Sequence, residues 1–343
     1  MAATILLTGG AGYIGSHTCV ALMKAGYRPV ILDDFSNAAV DVPQRLAEIT
    51  GAAPEVWHGS VLDAELLAQI FATHEIAAVI HFAARKAVGE SVRMPLDYTR
   101  TNLGGLMTLL EAMRGAGVFR LVFSSSATVY GVPDRLPIPE DAATGFTNPY
   151  GFTKLVGEQL LAQMAAADPR WAVGVLRYFN PAGAHASGLI GEDPGDVPNN
   201  LMPFIAKVAV GELPALRVFG DDYDTPDGTG VRDYIHVEDL AEGHALSLSA
   251  LLRSGQGHLV NLGTGRGYSV LEMLAAYGRA CGRVLPHVIA PRRPGDIAAC
   301  YADPTRAAEL LGFRAARGLD EMCASSWRWI SGRTGAERCA MQR

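Results

Sequence analysis

Thr4-Ile5-Leu6-Leu7-Thr8 runs directly into Gly9-Gly10-Ala11-Gly12-Tyr13-Ile14-Gly15, and this passage decides the fold. A short apolar and β-branched run reads as a strand, and glycines at 9, 12 and 15 lead into a helical pattern from Ile14. Such a turn brings backbone N–H groups and a helix N-terminus against a pyrophosphate, where a Cβ would hold the phosphate away. A tight strand-to-helix turn with no ligand would also use glycines. Context separates the two: Asp33 ends the next strand, 21 residues beyond Gly12. A carboxylate there accepts hydrogen bonds from both adenosine ribose hydroxyls and repels a 2′-phosphate. No Lys or Arg lies in Asp33-Asp34-Phe35-Ser36-Asn37 to offset that repulsion. The expected cofactor is NAD, not NADP.

Outward from this turn, strand-like runs at 29–32, 55–57, 77–82, 121–124 and 172–176 alternate with helical patterns at 14–25, 64–74, 101–116 and 153–167. The alternation predicts βαβ units: an α/β, doubly wound parallel sheet of Rossmann-like type, with helices on both faces. After residue 180 the texture changes. Residues 181–200 have no usable period, a helix is expected at 201–210, and 219–230 is loop-rich. At 343 residues about two units are expected. The cut falls near 180, giving a cofactor domain at 1–180 and a smaller, partly interleaved α/β substrate domain at 181–343. Segments 235–250 and 259–263 look regular enough to return to the main sheet. Residues 332–343 carry no periodicity and read as a mobile tail.

Hydrophobic residues are 49% and charged residues 19%, which excludes disorder as a reading of the whole chain. A net charge of −6 lacks the basic footprint of nucleic-acid binding. No apolar run approaches 18 residues, and the N-terminus lacks the basic and apolar regions of a signal peptide. Cys19, Cys281, Cys300, Cys323 and Cys339 show no C-x-x-C spacing and read as reduced thiols of a cytoplasmic protein. His81 and His236 sit in strand-like runs and read as structural, and no metal-ligand spacing is present.

The chemistry centres on Tyr150 and Lys154, four residues apart and so on one helix face. A phenol ordinarily ionises near pH ~10, so a neutral-pH phenolate needs ~4 kcal/mol of selective stabilisation. A nearby ammonium and a cationic nicotinamide ring can supply it. In isolation the pair reads more readily as a core tyrosine beside a surface lysine. Upstream, however, Phe123-Ser124-Ser125-Ser126 ends a strand at the sheet's carboxyl edge, where a hydroxyl can relay a proton or hold a substrate oxygen.

The glycine turn, the run 124–130 and the Tyr150/Lys154 pair together resemble the extended short-chain dehydrogenase/reductases. His81-Phe82-Ala83, Lys86-Ala87-Val88-Gly89-Glu90-Ser91 and Leu176-Arg177-Tyr178-Phe179-Asn180-Pro181 narrow the resemblance. So do Pro198-Asn199-Asn200-Leu201-Met202-Pro203 and Gly228-Thr229-Gly230-Val231-Arg232-Asp233-Tyr234-Ile235-His236. Within that group the chain resembles the UDP-glucose 4-epimerase family, from residue 4 to about 330.

The resemblance implies a UDP-hexose substrate, a tightly held NAD, and a homodimer packed through the helices at 101–116 and 153–167. It implies that Tyr150 takes the proton of the sugar 4-hydroxyl, Lys154 lowers the Tyr150 pKa, and Ser126 bridges phenolate and sugar. The cofactor residues it implies are Gly9, Gly12, Tyr13, Ile14, Gly15, Asp33, Asn37, Ser60, Val61, Phe82, Ala83, Lys86, Thr101, Tyr150, Lys154 and Phe179. On the substrate side it implies Ser126, Tyr150, Asn180, Asn200, Leu201, Phe219, Arg232, Arg293 and Cys300. Arg232 and Arg293 match phosphate-binding arginines, Phe219 lies beside the uracil, and Asn200 and Leu201 open a helix whose amides face an anion.

Three places depart from the family pattern. Ser60 stands where an aspartate contacts the adenine amino group, with Asp63 near enough to substitute. Thr101 replaces an asparagine near the cofactor, and Ala84-Arg85 replace Gly-Leu. Position 300 lies beside the hexose C2 substituent, where some relatives carry tyrosine. Cys300 leaves room for an acetamido group unless Tyr301 or a shifted loop closes the space. Nucleotide-sugar 4,6-dehydratases need an acid and a carboxylate after the strand-end hydroxyl, where this chain has Ala127 and Thr128. UDP-glucuronate decarboxylases usually keep a glutamate there. A non-catalytic dinucleotide sensor would be expected to lose Tyr150 or Lys154.

Overall fold

The computed structural model describes residues 2–193, 200–293 and 295–341, with side chains through 333. Pro198, Asn199, Pro294 and the thiol of Cys339 lie outside the described residues. The first half supplies β1 (Thr4–Thr8), β2 (Arg28–Asp33), β3 (Glu55–His58), β4 (Ile76–His81), β5 (Arg120–Ser126) and β6 (Ala172–Tyr178). Later strands are β7 (Asn180–Ala182), β8 (Leu216–Phe219), β9 (Val231–His236), β10 (His258–Leu262), β11 (Gly267–Ser269), β12 (His287–Ala290) and β13 (Ala299–Cys300). Helices up to the middle of the chain are α1 (Tyr13–Lys24), α2 (Val42–Thr50), α3 (Ala64–Thr73), α4 (Val88–Arg93), α5 (Pro95–Thr99), α6 (Gly105–Gly115) and α7 (Pro149–Ala167). Beyond it lie α8 (Leu201–Val210), α9 (Val237–Ser254), α10 (Val270–Cys281), α11 (Thr305–Leu311) and α12 (Leu319–Met341).

Seven strands form one parallel sheet in the order β10-β6-β5-β4-β1-β2-β3. All of β1 is buried, because helices cover both faces, and this is why its sequence is continuously apolar instead of alternating. Ile5 and Leu7 pack with Cys19 and Leu22 of α1 and Leu240 and Leu248 of α9. Leu6 points the other way, to Leu67 of α3, Leu109 of α6 and Leu161 of α7. The sheet is doubly wound, as the alternation predicts. The chain leaves β1 through β2 to β3 on one side, then crosses to β4 on the other. The crevice between β1 and β4 is therefore the topological switch point. A second layer is built from β7, β9, β11 and β13, the pair β8-β12, and a core of Met202, Ile205, Met273, Tyr277 and Met322.

Three expectations change. Residues 101–116 are not one regular helix: Arg100–Gly104 form a π turn before α6. Buried Asn102 is pulled sideways there, bonding Arg85 N–H and C=O at 2.8 and 3.0 Å and Thr153 Oγ1 at 2.9 Å. Of the segment 235–250, the first two residues end β9 in the small sheet, and α9 returns as a helix covering the main sheet; β10 returns as its edge strand. The stretch from 332 to 341 continues α12. The helix needs no apolar stripe there, since a start anchored by buried Met322, Cys323 and Trp329 lets it propagate. Among the described residues no helix is long and apolar enough to cross a membrane.

Histidines brace this core. His81 Nδ1 meets Thr8 Oγ1 at 2.7 Å, His17 Nδ1 the Tyr13 carbonyl at 2.7 Å, and His244 Nδ1 the Leu240 carbonyl at 2.8 Å. Burial lowers their pKa from 6.5 to about 3, about 3 and about 4 respectively. They are neutral when folded, so their stabilising effect is intact above pH 6.5. It is lost as the pH falls from 6.5 towards 3, roughly 1 kcal/mol per histidine per pH unit, because only the unfolded chain takes up the proton. The urea midpoint should fall steadily from pH 7 to pH 5; a midpoint constant over that range would contradict these assignments.

Candidate active site

The glycine turn lies in the β1/β4 crevice. Gly9 has φ +70, and its N–H donates to Leu32 O at 2.7 Å. A Cβ on Gly9 would stand 2.6 Å from the Ala83 nitrogen, and one on Gly15 would collide with the Gly9 carbonyl. Phe82 and Ala83 both donate to Thr8 O, at 2.8 and 2.9 Å, and so close the end of β4 over the turn. Gly12 caps α1 without a side-chain bond, which leaves its first amides pointing outward, with Ile14 half-buried in that first turn. Tyr13 donates its hydroxyl to Gly183 O at 2.7 Å, tying the turn to the second half of the chain.

Asp33 is buried, which raises its carboxyl pKa, while backbone donors pull it down. Ala11 N–H reaches Oδ2 and Phe35 N–H reaches Oδ1, each at 2.9 Å. Phe35 has φ +54, a strained conformation for a bulky residue and one with no local sequence signal. Asn37 is exposed in the following loop, Thr101 lies in the π turn, and Val61 packs against Gly105. Ser60 Oγ accepts the Leu62 N–H at 3.2 Å. Asp63 caps α3, its Oδ1 accepting Leu66 N–H at 3.0 Å.

The start of α7 is fixed by its cap. Asn148 Oδ1 accepts Gly151 N–H at 2.9 Å, and Pro149 occupies the first helical position. The next turn buries Tyr150 and Lys154. Lys154 Nζ donates to Ser124 O at 2.7 Å and lies 5.9 Å from the Tyr150 ring centroid. Burial lowers its pKa to about 8, with Glu158 pulling it back up. Burial also pushes Tyr150 up to about 12, against a hydrogen bond with Ser126 that lowers it. Desolvation dominates at Tyr150, and the Lys154 ammonium spends its hydrogen bond on a strand carbonyl. Tyr178 is a second phenol here that sequence reasoning missed, and burial together with the neighbouring Tyr150 raises its pKa further. Phe179 is buried beside it with Leu155 and Tyr130.

The residues expected on the substrate side come from several elements. Asn180 opens β7, and Arg232 of β9 pairs in register with Cys300 of β13. Arg232 Nη1 donates to Val231 O at 2.8 Å. Arg293 lies over the Phe219 ring, 4.8 Å from its centroid, and pairs with Asp296 at 2.9 Å. Two residues far apart in sequence are thus brought face to face. Asn200 caps α8, whose first residue is Leu201. Lys86 Nζ reaches Glu192 at 3.3 Å.

The chain matches the model of the NAD dependent epimerase/dehydratase family over residues 5–263. It is 57% identical to the UDP-glucose 4-epimerase of Bacillus subtilis strain 168, over 98% of this chain and 99% of that protein. The chain belongs to the UDP-glucose 4-epimerase family. A Bifidobacterium longum member in complex with NAD+ and UDP superposes with a TM-score of 0.93 at 51% identity, covering 96% of this chain and 99% of that one. A Stenotrophomonas maltophila member with bound NAD and formylated UDP-arabinopyranose gives 0.96 at 50%, covering 97% and 99%. The residues present fit a dinucleotide: side-chain-free Gly9 and Gly15, the uncapped start of α1, and a buried carboxylate closing β2.

Proposed function

We propose that the protein is an NAD-dependent epimerase that interconverts UDP-glucose and UDP-galactose through a 4-keto sugar. The observation that carries this reading is buried Tyr150, one helical turn before buried Lys154, with its phenol pKa held down by Ser126 at the carboxyl end of β5. Ala127 and Thr128 follow Ser126, so the acid and carboxylate that a dehydratase requires are missing.

NAD would be held by the glycine turn, the start of α1 and Asp33, and would supply the hydride acceptor for the sugar C4 and a cationic ring. Tyr150 at about 12 needs about 7 kcal/mol of selective stabilisation to ionise at neutral pH, so its ionisation belongs to the loaded site. As phenolate it takes the proton of the 4-hydroxyl and gives it back when the sugar is reduced. Ser126 holds the sugar oxygen against the phenol. Lys154 places a buried ammonium on the same helix face. Tyr178, raised further, stays protonated. The substrate diphosphate is assigned to Arg232, Arg293 and the amides at Asn200 and Leu201, the uracil to Phe219, and the hexose to Asn180. Gly9, Gly12, Tyr13, Ile14, Gly15, Asp33, Asn37, Ser60, Val61, Phe82, Ala83, Lys86, Thr101 and Phe179 are assigned to the cofactor.

Substrate range is assigned to Cys300, which, like Ala127, packs against the cluster around Val129, Tyr130 and Phe179. The Tyr301 ring stands against Gly267. The oligomer is assigned to a homodimer through α6 and α7; Val92, Met94, Leu96 and Met107 stay exposed on α4, on α6 and between them.

With UDP-galactose as substrate, Tyr150→Phe should keep its NAD and lose epimerisation by about 10²–10⁴-fold. Near-normal turnover in the NAD-loaded variant would overturn the assignment. Wild type should also interconvert UDP-N-acetylglucosamine and UDP-N-acetylgalactosamine. Cys300→Tyr should suppress that activity roughly 10- to 150-fold while sparing the plain hexoses. No N-acetylhexosamine turnover in the wild type would show the pocket closed by another group. Light scattering should give twice the 36.4 kDa chain mass, and Met107→Glu should shift it towards one; a monomeric wild type refutes the dimer.

A further inference from the structure

Glu192 stands where the reaction has no use for a carboxylate. Its side chain is 11% exposed and lies between Lys86 Nζ at 3.3 Å and Asn200 Nδ2 at 2.6 Å. Its own carbonyl accepts the Trp329 indole N–H at 3.3 Å, which fixes the backbone at this point. Asparagine is among the strongest helix N-caps, its side-chain oxygen taking the orphan amides of the first turn. Asn200 holds the N-cap position of α8 with extended backbone angles, yet makes no side-chain cap bond. Its amide is turned to Glu192 instead. The first amides of α8 are thereby left free of their natural internal partner. A bare carboxylate at this place would repel an incoming diphosphate, and the Lys86 ammonium cancels that charge.

We propose that Glu192 is a positioning residue that holds Asn200 away from its own helix, keeping the amide end of α8 open for the substrate diphosphate, with Lys86 neutralising it. The inference rests on the assignment of α8 to the substrate and Lys86 to the cofactor made above. Without Glu192 the Asn200 side chain is free to fold back and cap α8, closing the anion site from within.

UDP is the probe, titrated calorimetrically into the NAD-loaded enzyme, with thermal melts and NAD content checked for each variant. Glu192→Ala should weaken UDP roughly fivefold to tenfold, the equilibrium shift a single N-cap produces. It should raise KM by the same factor and leave kcat unchanged. Glu192→Gln keeps an acceptor for Asn200 and should bind UDP at least as tightly as wild type. Lys86→Met leaves the carboxylate unpaired and should weaken UDP, whereas the same change in the Glu192→Gln background should have no such effect. An unchanged affinity in Glu192→Ala overturns the proposal. So does a Gln variant as weak as the Ala variant, or an equal Lys86→Met loss in both backgrounds. The Gln and Met variants decide the question if the Ala variant does not fold. Failure of the wild type to bind UDP would instead overturn the substrate-site assignment itself.

Discussion

A buried ammonium must find a partner, and Lys154 finds it in the backbone of β5, at the Ser124 carbonyl 2.7 Å away. One turn further along α7, Glu158 accepts the Ser125 hydroxyl and pairs with Arg177 through two guanidinium nitrogens, at 3.0 and 2.6 Å. Helix and strand are thus joined at two consecutive strand residues, immediately before Ser126. One turn earlier on the same face stands Tyr150. Removing one partner of such a buried pair leaves a charge without compensation, at a cost of about 3–5 kcal/mol. The register of α7 on β5, and with it the meeting of Tyr150 and Ser126, depends on this docking.

The same dryness sets the electrostatics. Burial drives the phenol of Tyr150 up and the ammonium of Lys154 down, so both groups are pushed towards their neutral forms. Near neutral pH Tyr150 is therefore a neutral phenol, while Lys154 is still an ammonium. That couples proton removal to a loaded pocket, since the charge that stabilises the phenolate arrives with the group that takes part in the chemistry. The strained Phe35, held by Asp33 at the end of β2, shows that the cofactor side is likewise built at some conformational expense. The second layer works by convergence: Phe219 meets Arg293 across a sheet pair, and Cys300 meets Arg232 across another.

The sequence by itself determined the doubly wound sheet, the glycine turn with its acidic partner on β2, and the tyrosine-lysine pair. Each is a local signal, carried by a period, a fixed spacing or a residue type that a short stretch of chain needs whatever surrounds it. Packing decided the rest. Asn102 widens a helix because its partners, Arg85 and Thr153, come from other parts of the chain. Asp63 lies three residues beyond Ser60, and one of its carboxylate oxygens is taken up by the cap of α3. Tyr178 enters the site because β6 runs beside β5. The direction of the Tyr150 and Lys154 shifts could not be read from an i, i+4 spacing, since desolvation depends on everything packed above the pair. Glu192 between Lys86 and Asn200 has no sequence signature at all: its role comes from three segments meeting at one carboxylate, and only the folded chain brings them together.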